Sequence, residues 1–84
     1  MLRLKDLTKK QLEVLADRHI HQFTRRIEKG GPNVRIPECE AYRNIWQSIR
    51  KKGSVELLSK EERGEVIDAL CSGSFEDLLK EVAT

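Results

Sequence analysis

Apolar and aromatic side chains recur along the chain at helical spacing. Leu12, Leu15, Ala16, His19, Ile20, Phe23 and Ile27 fall within an arc of about 140° when successive residues are turned by 100°. That arc predicts one buried face on a helix spanning about residues 8–29. Thr8 and Gln11 mark its start as a capping box, in which each side chain satisfies an orphaned backbone N–H, and Leu7 and Leu12 sit where a hydrophobic staple would close over it. Gly30-Gly31-Pro32 marks its stop. At 1.5 Å per residue the helix would be roughly 33 Å long. A compact chain of 84 residues has a radius of gyration of only about 12 Å, so everything else must pack along this helix.

Three shorter helices are predicted beyond it. Pro37 suits the first turn of a helix over about 37–52, whose inner face reads Cys39, Tyr42, Ile45, Trp46 and Ile49 and which ends at Gly53. Ser59 and Glu62 repeat the capping-box spacing and open a helix over about 60–71. Val66, Ile67, Leu70 and Cys71 form its expected inner stripe, with Gly64 a weak point costing about 1 kcal/mol against alanine. Ser74 is placed to cap a last helix over about 75–83 carrying Phe75, Leu78, Leu79 and Val82. No stretch alternates with a period of two, so no sheet is expected. The expected fold is all-α, a compact bundle of about four helices forming a single domain over 1–84.

Composition narrows the function. With 36% charged and 38% hydrophobic residues, the chain is globular in character and carries no apolar run near the ~20 residues of a membrane span. The N-terminus lacks the apolar block of a secretory signal. Two cysteines, Cys39 and Cys71, are too few for a disulfide framework and suit a reducing compartment, so a cytoplasmic location is expected. Their places on apolar stripes predict small buried side chains.

Charge is uneven. Residues 1–53 hold 13 Lys and Arg against 6 Asp and Glu, a net +7, whereas residues 54–84 hold 3 against 8, a net −5. On the first helix Arg18, Gln22, Arg25 and Lys29 form a basic stripe with Arg26 adjacent, and Glu13, Asp17 and Glu28 lie on the other flank. Arg43 and Arg50, with Gln47, make a smaller stripe on the second helix. These residues are the candidate partner-binding face, suited to phosphates or acidic side chains. The competing interpretation is a solvated face partly neutralised by the acidic C-terminal half.

No catalytic or cofactor signal emerges. His19 and His21 point about 200° apart on a helix and cannot share one metal ion, and no cysteine spacing resembles a zinc motif. Cys39 lies near a helix N-terminus, but Glu38 and Glu40 oppose any lowering of its thiol pKa. Gly30-Gly31-Pro32 follows a helix and no Gly-Lys-Ser/Thr occurs, so a phosphate loop is absent. The last two helices have the turn of a helix-turn-helix reader, yet Glu76, Asp77 and Glu81 would face a polyanion. Neither an enzyme, a cofactor nor a metal site is expected.

The expected function is therefore that of a small non-enzymatic regulator or inhibitor docking by its charged face onto a larger protein, with nucleic-acid-handling machinery a natural target. By analogy alone, it looks like the small takeover factors carried by phages and mobile elements. The alternative is a direct DNA- or RNA-binding regulator using the basic stripe. Leu2, Leu4, Leu7, Val14 and Val55 are claimed by none of the four stripes and leave room for a homodimer.

Overall fold

A computed structural model describes residues 3–82. It contains α1 (Lys9–Lys29), α2 (Ile36–Lys52), α3 (Lys60–Cys71) and α4 (Glu76–Glu81), with 3-10 turns at Leu4–Asp6 and Val55–Leu57. No strand occurs among the described residues, and the fold is an all-α bundle. The long α1 pairs chiefly with α2, and the radius of gyration is 12.8 Å.

Both capping boxes form. Gln11 N–H donates to Thr8 Oγ1 at 3.1 Å while Thr8 N–H donates to Gln11 Oε1 at 2.9 Å, and Ser59 and Glu62 do the same at the start of α3. Gln11 does a second job. Its Nε2 donates to the Leu79 carbonyl at 3.0 Å in the interior, so one side chain caps α1 and holds the last turn of α4. At the far end of α2, Gly53 takes a left-handed conformation (φ 70°) and returns its N–H to Ile49 O, a geometry that costs other residues strain.

The core is Leu12, Leu15, Ala16, Trp46, Ile49, Val66, Ala69, Leu70 and Leu79, extended by Leu7 and Leu58. The buried face of α1 tapers: Leu12, Leu15 and Ala16 are closed off, whereas His19, Ile20, Phe23 and Ile27 are half-buried. Leu4, Leu7 and Val55, unclaimed by the helical stripes, join the core through the 3-10 turns, and Val14 lies beside Leu78. Leu2 and the last predicted helical residue, 83, lie outside the described residues.

Three local expectations are corrected. First, α3 is rotated relative to its apolar stripe: Glu62, Val66, Ala69 and Leu70 are buried, while Ile67 and Cys71 are exposed. The buried Glu62 carboxylate accepts from Lys52 Nζ and from Ser59 N–H, so it enters the interior with its bonding satisfied and turns the helix toward α2. Second, the thiols do not behave as core residues, since Cys39 is half-buried and Cys71 is exposed. Third, α4 is one turn shorter than its pattern and lacks a side-chain cap: Ser74 N–H instead bonds Ser72 Oγ, and Phe75 occupies the N-cap position.

Candidate interaction surface

The basic stripe of α1 is built by spacing alone. Arg18, Gln22, Arg25 and Lys29 stand on one side of the helix, all exposed, over a length of roughly 16 Å. No carboxylate among the described residues pairs with Arg18, Arg25 or Lys29 within ion-pair distance. Arg26, also exposed, lies at the edge of the stripe with its guanidinium 5.5 Å from the Phe23 ring centroid.

Arg50 belongs to a different surface. Its guanidinium meets Glu13 at 3.0 Å and Asp17 at 3.0 Å, on the flank of α1 turned about 120° from the Arg18 stripe. Arg43 stands seven residues earlier on the same side of α2 and is half-buried, with Nε shut off from water and without a hydrogen-bond acceptor. The structure therefore brings Arg18, Gln22, Arg25, Arg26 and Lys29 together, and places Arg43 and Arg50 along the seam between α1 and α2.

Among the described residues the acidic half pairs little with the basic one. Among the described residues, Lys52–Glu62 is the one ion pair that joins residues 3–53 to residues 54–82. Glu61, Glu65 and Asp68 repeat at four and three residues along α3, and among the described residues no cation pairs with them. The consequence is felt at Glu65, whose carboxyl is held above the usual range by partial burial and then by the charges of Asp68 and Glu61.

A groove of about 330 Å3 runs between α3 and the α1–α2 hairpin. Its aromatic side is layered: the His19 ring stacks on Trp46 with centroids 3.9 Å apart, Phe75 leans on His19 at 4.6 Å, and Phe23 stacks with Tyr42 at 5.6 Å. His19 Nδ1–H donates to the Leu15 carbonyl at 2.8 Å, and burial holds its pKa below the ordinary imidazole value against that bond. The ring packs against Trp46 and Phe75 with its protonated form disfavoured by burial. Glu65, Asp68, Ala69 and Ser72 form the opposite wall. Sequence reasoning missed this groove because its two walls come from helices whose relative placement no periodicity encodes.

Among the described residues no cluster of His, Cys, Asp or Glu is placed to hold a metal ion, and no helix is long and apolar enough to cross a membrane. Comparison with protein-family models, curated proteins and solved structures finds no match to this chain.

Proposed function

We propose that this protein is a small non-enzymatic regulator or inhibitor that docks onto an acidic surface of a larger protein, through Arg18, Gln22, Arg25, Arg26 and Lys29. The observation that supports it is that, among the described residues, Arg18, Arg25 and Lys29 stand exposed with no ion-pair partner in a molecule that has carboxylates to spare. Exposed ion pairs add little stability, so leaving these groups apart costs the fold almost nothing while preserving a field that steers association. We place the encounter in the cytoplasm, where the exposed Cys71 thiol would stay reduced. Machinery that handles nucleic acids is the partner class we favour, since its phosphate-mimicking or regulatory acidic surfaces match a stripe of guanidinium groups.

Direct binding to DNA or RNA draws on the same cations, but the rest of the surface disfavours it. The unpaired carboxylates of α3 repel a polyanion. Trp46 is buried, and Phe23 and Phe75 are half-buried, which leaves Tyr42 as the exposed aromatic for base stacking. The test is retention of a stoichiometric protein partner from nuclease-treated lysate by the tagged chain, with an R18E/R25E/K29E variant beside it. Loss of that partner in the charge-reversed variant is the expected result. Equal retention by both, or binding of purified duplex with a steep log–log salt dependence that the variant abolishes, would overturn the reading.

A further inference from the structure

We propose that the groove between α3 and the α1–α2 hairpin receives an arginine side chain presented by a protein partner. Tyr42, 41% exposed, and the half-buried rings of Phe23, His19 and Phe75 line one side, over the nearly closed Trp46. Glu65 and Asp68 line the other. Aromatic faces attract a cation through their quadrupole, and paired carboxylate oxygens suit the planar fork of a guanidinium better than the compact ammonium of lysine. The protein already seats one guanidinium on an aromatic ring of this layer, that of Arg26 against Phe23.

Charge complementarity singles out a cationic occupant. Among the described residues no cation pairs with Glu61, Glu65 or Asp68, and Glu65 resists ionising because it is partly buried and then because Asp68 and Glu61 lie beside it, as expected of a carboxylate wall lacking its counter-charge. The groove is open and holds about 330 Å3, enough for a side chain but not for a folded element, so the arginine would be one anchor within a wider interface. It lies about 120° around α1 from the Arg18 stripe. This inference does not rest on the basic flank, and either can fail alone.

The probe is N-acetyl-arginine amide, titrated into the full-length 15N-labelled protein, with N-acetyl-citrulline amide and N-acetyl-lysine amide as controls. Saturable shifts are expected at the Trp46 indole N–H and at the Ala69 and Ser72 amides, with citrulline binding at least about tenfold more weakly. An E65Q/D68N variant, whose fold is checked by its melting curve, should lose the arginine response. Tyr42→Leu should weaken it about two- to fivefold. Citrulline or lysine matching arginine, or an unchanged response in E65Q/D68N, would overturn the assignment.

Discussion

Removing the Glu62 carboxylate should expose how α3 is fastened. This residue is 5% exposed, and its carboxylate accepts from Ser59 N–H at 2.7 Å within the capping box and from Lys52 Nζ at the end of α2. Burial alone would raise its pKa, but Lys52, the Ser48 hydroxyl and Ser59 together outweigh that and bring it from an ordinary 4.5 to about 2. At about 1.4 kcal/mol per pKa unit, the shift corresponds to roughly 3 kcal/mol in favour of the ionised folded state. A second route gives the same scale: about 1 kcal/mol for the cap and about 2 kcal/mol for a charge-assisted bond. Glu62→Ala should therefore lower the melting temperature by about 12–24 °C, a large part of the stability of a chain this size. Glu62→Gln can keep the Ser59 bond and should lose only the charged component. Because the folded pKa is depressed, the carboxylate's contribution is complete above pH 4.5 and fades as pH falls toward 2. Urea unfolding followed by circular dichroism should show the gap between the parent and Glu62→Gln closing over that window. A gap that stays constant from pH 6 to pH 2.5 would refute the linkage, and equal losses in Gln and Ala would refute the division between cap and ion pair.

Other consequences are simpler to check. Gly64 lies in α3 with nothing within 4 Å of the position a Cβ would take, so Gly64→Ala should raise stability by about 0.5–1 kcal/mol in denaturant titration. His19 has a lowered folded pKa, so the unfolded chain takes up the proton first. Stability should be full above about pH 6.5 and decline as pH drops below it, and His19→Phe, which keeps a ring against Trp46, should remove that dependence between pH 7 and 5. Glu65 has the opposite sign: its raised folded pKa disfavours folding when the group is ionised, so Glu65→Gln should be neutral or stabilising at pH 7, with the difference vanishing in acid.

Much of this fold could be read from local chemistry. Thr8–Gln11 and Ser59–Glu62 fix helix starts through bonds that span three residues, and Gly53 fixes an end through its own backbone, so neither depends on the rest of the molecule. The orientation of α3 was not legible for the converse reason. Its stripe is short of apolar residues, and its register is decided by a glutamate whose partner Lys52 stands on another helix. The Gln11 bond to Leu79 O, 68 residues away, fixes α4 and likewise leaves no mark in any period. Spacing places a side chain around its own helix axis but cannot say which flank of a neighbouring helix it will meet. That is why Arg43 and Arg50 read as an extension of the Arg18 stripe, although Arg50 is held by Glu13 and Asp17 on the other flank.

The division of charge follows from what surface electrostatics can and cannot do for a small fold. An exposed ion pair contributes about 0–1 kcal/mol, so stability would change little had α3 packed with Glu61, Glu65 and Asp68 against Arg18 and Arg25. The pair whose carboxylate is buried, Lys52–Glu62, is one that fastens one helix to the next. Among the charges left unpaired are a basic flank on α1 (Arg18, Arg25 and Lys29) and an acidic row on α3 (Glu61, Glu65 and Asp68), about 120° apart around the long helix. Two faces of opposite sign at a fixed angle on a rigid body discriminate among docking orientations, because a partner that satisfies one face meets like charge if it is turned to the other. Screening sets the reach of this discrimination at about 8 Å in physiological salt, close to contact. Raising the ionic strength should therefore erode association rates well before it alters the fold, whose Lys52–Glu62 pair has its carboxylate buried.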